Sequence, residues 1–269
     1  MRASLLTMGF GIAIIGASLA NSKTTWAGDA PSETTQPCCA NWTGFYAGIS
    51  VGRAWGHPGQ TEFSAASTTP TNLGDSTSSS RGTIGNMTSN GGLVGGHLGY
   101  NKQIGSLLLG VEGDIQGGSL KGRTNGTLSN PNGTFNPIAA TAALDMHTFS
   151  TLRGRIGVAV DKWLIFGTGG LALARVDYGF NVQELGGGAL FRSALSSQKS
   201  MSGMVWGGGV EYALDRYSVK LEYLNANLGS IGATGPVTII QTGTPVDTAS
   251  AGALKSGFQT LRAGVSARF

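Results

Sequence analysis

Hydrophobic and polar residues alternate along eight stretches of this chain, each about a dozen residues long. Alternation with a period of two is typical of a β-strand that has one apolar face and one polar face. The pattern predicts strands at 42–55, 92–103, 107–118, 149–160, 163–178, 201–214, 217–228 and 257–269. Very short connections alternate with long ones, at 56–91, 119–148, 179–200 and 229–256, which indicates a succession of antiparallel hairpins.

In five of these stretches every charged residue falls on the polar face. In 107–118, for example, Leu109, Val111 and Ile115 alternate with Glu112 and Asp114. The stretch 163–178 has apolar residues on both faces, so its orientation stays open. The charged set comprises Glu112, Asp114, Arg153, Arg155, Glu211, Lys220, Glu222, Arg262 and Arg268. If these side chains share one interior, we expect an ion-pair network, because a buried charge without a partner is very costly. Hydrated charges in an open pore are the alternative.

Glycine and the aromatic residues indicate that the apolar face points outward, to lipid. The chain has 45 Gly among 269 residues, and the polar face is rich in them, as expected of a narrow lumen. Aromatic residues gather at the ends of the stretches, as they do at the two bilayer interfaces of a barrel. Those near the short connections are Trp42, Phe45, Tyr46, Tyr100, Trp163, Tyr217 and Phe269. Those near the long connections are Trp55, Phe149 and Tyr178.

The predicted fold class is therefore all-β, an eight-stranded antiparallel up-and-down transmembrane β-barrel with four long extracellular loops. Closure follows because lipid offers no partner to an unpaired backbone group. The short turns and both termini are expected in the periplasm.

The amino terminus has the features of a secretory signal peptide. Arg2 precedes an apolar run over 5–20, and Thr25-Trp26-Ala27 is a candidate cleavage site. This predicts a signal peptide at 1–27, a flexible periplasmic leader at 28–41 and a barrel at 42–269. Cys38 and Cys39 are adjacent in the leader, so a disulfide between them could not cross-link distant parts of the fold.

Composition and motifs give no support for a nucleic-acid partner, a cofactor, a metal or an enzyme. Removal of Arg2 and Lys23 with the signal peptide leaves 16 basic and 14 acidic residues, too even a balance for nucleic-acid binding. His147 and Ser150 are close in sequence, but this proximity does not establish a catalytic triad. His57 and His147 could meet above the barrel mouth, so haem binding stays an alternative.

Seven segments of the chain form recognisable motifs: Asn41-Trp42-Thr43-Gly44-Phe45-Tyr46-Ala47-Gly48, Gly95-Gly96-His97-Leu98-Gly99-Tyr100-Asn101, Gly110-Val111-Glu112-Gly113-Asp114, Leu152-Arg153-Gly154-Arg155-Ile156-Gly157, Gly167-Thr168-Gly169-Gly170-Leu171-Ala172, Lys220-Leu221-Glu222-Tyr223 and Leu261-Arg262-Ala263-Gly264-Val265. These segments resemble the alphaproteobacterial outer-membrane surface antigens of the porin-like family, which are related to the OmpA-type eight-stranded barrel. The resemblance implies outer-membrane residence, a surface antigen and a contribution to envelope integrity. It also implies that the barrel-assembly machinery recognises the terminal Phe269.

The resulting hypothesis is a non-enzymatic outer-membrane barrel. Its expected partners are outer-membrane lipid, the assembly machinery and host surface molecules that the loops contact. A small diffusion porin and a haem-binding outer-membrane protein are the alternatives.

Overall fold

The computed structural model describes residues 40–66, 79–128, 138–184, 191–239 and 245–269. The predicted signal peptide and all of the leader except Ala40 and Asn41 lie outside these residues. Within the described ranges, no helix is long and apolar enough to cross a membrane.

Eight antiparallel strands form a single closed barrel, which confirms the predicted fold class. The strands are β1 (Gly44–Ala66), β2 (Ser79–Ile104), β3 (Leu107–Leu128), β4 (Ile138–Val160), β5 (Trp163–Glu184), β6 (Phe191–Leu214), β7 (Tyr217–Ile239) and β8 (Pro245–Arg268). Each strand pairs with its neighbours in sequence, and β1 pairs with β8 to close the ring.

The apolar face of the strands points outward, as predicted. Val111 is 56% exposed, whereas Glu112 beside it is 2% exposed and faces the interior. The strand whose orientation the sequence left open is β5, and here Ile165 and Leu171 point outward while Leu164 points inward and is buried. The outward apolar residues form a band, from Leu107 to Ile115 on β3 for example.

The strands are longer than the alternation predicted, because they continue into the stretches assigned to long loops. They contain 22 to 26 residues, whereas a tilted strand crosses the hydrocarbon core with about 10. Roughly half of the wall therefore stands beyond the apolar band. We call this part the extension, and it comprises the described residues of 56–66, 79–91, 119–128, 138–148, 175–184, 191–203, 225–239 and 245–259.

The hydrophobic pattern inverts where the extension begins. On β3, Leu120 points inward and is buried, while Lys121 and Arg123 point outward. This inverted pattern is typical of a wall surrounded by water, where burial of apolar side chains favours the interior, as in a soluble protein. This inversion accounts for part of the apolar pattern on both faces of 163–178, because Leu171 faces lipid and Val176 packs inside the extension. At the other end of the same stretch, Leu164 and Phe166 point inward and are buried in the lumen near the short turns.

The backbone ladders are regular in the apolar band and irregular above it. Register shifts occur at Gly117/Leu120 between β3 and β4 and at Met146/Thr148 between β4 and β5, both in or at the start of the extension. Further shifts, at Gly56/Gly59 and Asn227/Ser230, lie there as well. An unpaired backbone group costs several kcal/mol in hydrocarbon, whereas water can satisfy it outside.

The predicted aromatic belts are correct in part. Five aromatic residues on the short-turn side are exposed on the outer face: Phe45, Tyr100, Trp163, Tyr217 and Phe269. The assignment of Trp42, Tyr46, Phe149 and Tyr178 to the belts is wrong, because all four are buried inside the barrel. Tyr46, Phe149 and Tyr178 lie on the inward face of their strands, and Trp42 precedes β1 and packs against Leu164 and Phe166.

We expect Val111→Arg to destabilise the barrel by about 2–4 kcal/mol, because it places a charge against lipid near the middle of the band. The matched control is Asn125→Arg, which also faces outward on β3 but in the extension, where we expect a change within about 0.5 kcal/mol. Urea unfolding in lipid vesicles measures both. Equal effects would mean that the apolar band is wrongly placed.

Candidate functional site in the barrel interior

Charged side chains form one layer across the lumen at the level of the apolar band. Residues two apart on a strand share a face, so β3 contributes Glu112 and Asp114 and β4 contributes Arg153 and Arg155. The register then places acids beside bases on neighbouring strands: Glu112 pairs with Arg153, Glu211 with Lys220 and Glu222 with Arg262.

Arg153 is the centre of the layer. Its side chain is 0% exposed, and its guanidinium contacts three carboxylates. The nitrogen–oxygen distances are 2.5 Å to Glu112, 2.9 Å to Asp114 and 2.6 Å to Glu222. Its Nε donates a further hydrogen bond to Thr151, at 2.8 Å. The guanidinium therefore joins acids of β3 and β7 across the lumen.

The carboxylate of Glu112 contacts three positively charged side chains. Besides Arg153, its Oε2 lies 2.8 Å from Lys220 Nζ and 3.3 Å from an Arg155 nitrogen. The hydroxyl of Tyr46 donates to the same carboxylate at 2.8 Å and accepts from Arg155 at 2.8 Å. Arg155 also binds Glu211 at 2.9 Å, so the layer extends to β6.

Arg262 completes the layer on β8, at 3.0 Å from Asp114 and 2.5 Å from Glu222. The structure thus brings together eight of the nine charged residues named from the sequence. They are four acids and four bases: Glu112, Asp114, Glu211, Glu222, Arg153, Arg155, Lys220 and Arg262. The layer is formally neutral.

Arg268 is the exception: the structure places it outside the network to which the sequence pattern assigned it. Its guanidinium donates to the backbone carbonyls of Asn41, at 3.1 Å, and of Asp215, and it lies over the ring of Trp42. Arg268 has the inward parity of Arg262 but sits at the last position of β8, where the β6–β7 turn offers backbone acceptors. It fastens the amino-terminal segment to the short-turn end of the barrel.

Further polar residues, which the sequence pattern did not assign to the lumenal network, lie inside the barrel near the layer. The ring nitrogen Nε2 of buried His97 lies 2.8 Å from the Ser266 hydroxyl, and Gln116 donates to Ser50 at 3.0 Å. Tyr46 could have been found, because it shares the inward parity of Gly44 and Gly48. Glycine on the inward face leaves space for these side chains: a Cβ at Gly48 would lie 2.8 Å from Nε2 of His97.

Apolar side chains fill the lumen on both sides of the charged layer. On the short-turn side lie Trp42, Leu108, Ala159, Leu164, Phe166 and Ala213. On the side of the extension a larger cluster includes Leu93, Leu120, Phe149, Leu224 and Phe258. The charged layer is thus enclosed between two apolar layers.

A second charged cluster lies on the outer surface, at the bulge of β4. His147 Nε2 is 3.1 Å from Asp177, and Lys121 Nζ is 3.6 Å from Asp145. Among the residues that the structure describes, no group of three or more His, Cys, Asp or Glu side chains could hold a metal ion. The side chain of His57, the other histidine of the haem alternative, lies outside the described part of the chain.

This chain is similar to two curated proteins and to one solved structure. The 31 kDa outer-membrane immunogenic proteins of Brucella melitensis and Brucella suis are each 34% identical to this chain over 212 residues, which is 74% of this chain and 78% of the relative. The outer membrane protein OprG from Pseudomonas aeruginosa is a structural neighbour with a TM-score of 0.45 and 11% identity. The alignment covers 84% of this chain and 97% of OprG.

A family model for the outer membrane protein beta-barrel domain matches residues 13–269, which is nearly the whole chain. The family and the closed ring of strands together locate the protein in the outer membrane. This chain belongs to the outer membrane protein β-barrel domain family.

Proposed function

We propose that this protein is a non-enzymatic, non-conducting outer-membrane barrel that contributes to envelope integrity and presents its extension at the cell surface for contact with host molecules. The observation that carries the proposal is the neutral charged layer, enclosed between two apolar layers. An ion path would need hydrated charges. In this lumen the carboxylates instead accept hydrogen bonds from arginine and lysine side chains.

Orientation supports display of the extension outside the cell. Barrels of this class place short turns in the periplasm and long connections outside. The described turns at 105–106, 161–162 and 215–216 are two residues long and lie at the end opposite the extension. The Brucella relatives are named immunogenic, and we carry this over as support for surface display.

Conductance is the decisive measurement for the closed lumen. Purified protein in a planar bilayer should give no channels, or only very small ones, because side chains fill an eight-stranded barrel of this kind. Stable ohmic channels from the unmodified protein would favour the small diffusion porin instead.

Removal of the central arginine tests the layer itself. Arg153→Met should destabilise the barrel by about 3–5 kcal/mol, because it leaves buried carboxylates uncompensated. Adding Glu222→Gln should recover part of the loss, since Arg262 then keeps Asp114 as its partner. Adding Glu112→Gln should recover less, because it also deprives Lys220 and Arg155 of their shared acid.

The matched control for that series is Arg175→Met, an exposed arginine on the outer face of β5, which should change stability by no more than about 0.5 kcal/mol. Urea unfolding in detergent or vesicles measures all four variants. If Arg153→Met were as mild as the control, the layer would not be a stabilising network.

We further propose that Phe269 is recognised by the barrel-assembly machinery. Its side chain is exposed on the outward face, and its backbone N–H donates to Phe45 at 2.8 Å, at the β1–β8 closure. Deletion of Phe269 should lower the amount of protein in the outer membrane while export to the periplasm is unchanged. Ala267→Gly, at the previous outward position, serves as the control, and fractionation with immunoblotting measures both. Normal insertion without Phe269 would contradict the proposal.

A further inference from the structure

The chain crosses the short-turn mouth of the barrel before it enters β1. The backbone N–H of Ala40 donates to the carbonyl of Asp161, at 2.8 Å, and Asp161 lies in the turn between β4 and β5. β1 begins at Gly44, and in the ring of eight strands this turn lies on the far side of the barrel from β1. Residues 40–43 therefore connect opposite sides of the ring, and we call them the crossing segment.

The length of the crossing segment excludes a path around the rim. Four residue steps, from Ala40 to Gly44, reach at most about 14 Å. The rim from β1 to β4 spans three strand spacings of about 4.8 Å each, and the tilt of the strands lengthens it further. The crossing segment must therefore run over the opening itself.

Gly44 permits the bend from the crossing segment into β1. Its backbone has a φ of +136°, which lies in the region that favours glycine. A Cβ at this position would collide with the carbonyl oxygen of Phe269, just after β8. The entry of the chain into the mouth thus depends on a residue without a side chain.

Trp42 covers the lumen at the mouth. Its side chain is buried and belongs to the apolar layer on the short-turn side of the charged layer. Ala159 and Leu164 of that layer are 1% and 0% exposed, although each lies only two residues from the turn at 161–162. Inward side chains so close to the end of a strand would meet water unless another group covered them. Trp42 supplies this cover.

Polar contacts hold the crossing segment at several points around the mouth. Gln103, near the end of β2, accepts from the Trp42 N–H at 2.8 Å, and its own N–H donates to the Thr43 hydroxyl at 3.0 Å. Arg268 of β8 donates to the Asn41 carbonyl at 3.1 Å, and its guanidinium carbon lies 4.7 Å from the centre of the Trp42 ring. Together with the β4–β5 turn, these partners come together only in the closed ring.

We propose that the crossing segment is a plug, which seals the short-turn mouth of the lumen against water and small polar solutes. The charged layer lies behind the apolar layer that Trp42 completes, so the plug keeps this end of the network away from solvent. The inference rests on the proposed closed lumen, but it can fail separately. An open mouth would expose a thiol behind it without ohmic channels, whereas ohmic channels would refute the closed charged layer.

The test measures the reactivity of a single thiol placed behind the plug. Ala159→Cys puts this thiol in the buried layer, in a chain that also carries Cys38→Ser and Cys39→Ser. The purified, detergent-solubilised full chain is treated with a small, negatively charged maleimide, and mass spectrometry follows the labelling. Trp42→Ala in this background should accelerate labelling at least about tenfold, because the ring no longer covers the thiol. The shift in gel mobility on boiling checks that each variant retains its barrel.

Phe45→Ala is the matched control, because Phe45 is an aromatic residue three positions further on that faces outward and is exposed. It should leave the labelling rate within about twofold of the background. Gln103→Ala removes the acceptor of the Trp42 N–H and should accelerate labelling about fivefold. A thiol introduced instead by Lys162→Cys, in the exposed turn, should react rapidly in every variant and reports on access of the reagent.

Hydrogen exchange on the unmodified chain gives a second measurement that depends on no variant. The amides of Ala40 and Trp42 donate to Asp161 and Gln103, so they should exchange at least about a hundredfold more slowly than in an unstructured peptide. Exchange of both amides at the unstructured rate would overturn the proposal. Rapid labelling of the thiol behind an intact Trp42, or equal labelling with Trp42→Ala and Phe45→Ala, would overturn it too.

Discussion

The requirement that every backbone polar group be paired inside lipid governs the rest of this structure. It explains the closure of β1 on β8 and the regular ladders of the apolar band, and it explains why the register shifts are confined to the extension and its start. Closure of eight strands in turn leaves an interior only as wide as its side chains. Charges placed there have little room for water, so the acids and bases neutralise each other directly.

Parity was sufficient to predict the inward and outward faces of the five strands in which every charge falls on one face. The alternation of Val111 with Glu112 shows which side chains share the interior, and eight of the nine charged residues do meet there. Which acid binds which base depends on register across strands that are far apart in sequence, as in the contact of Arg153 with Glu222. Arg268 shows the limit of parity, because backbone carbonyls at the end of the strand compete for its guanidinium.

The full length of the strands could not be predicted from the sequence, for a different reason. Outward positions of the extension carry residues such as Lys121 and Asn125, which are depleted in strands, and these stretches were assigned to loops. Cross-strand pairing overrides such local preferences. The outer face of the barrel is therefore apolar in the band that meets lipid, whereas in the extension the apolar residues face inward. A single pattern applied to the whole of β5 gives no orientation.

The alternation of the extension has a consequence for recognition by antibodies. On β3, Lys121, Arg123 and Asn125 face outward, while the residues between them face inward or are partly covered. Neighbours on the surface come instead from different strands: Asp145 of β4 lies opposite Asp177 of β5. An epitope on this wall is therefore discontinuous, and a linear peptide copied from one strand would present inward residues that the folded protein conceals.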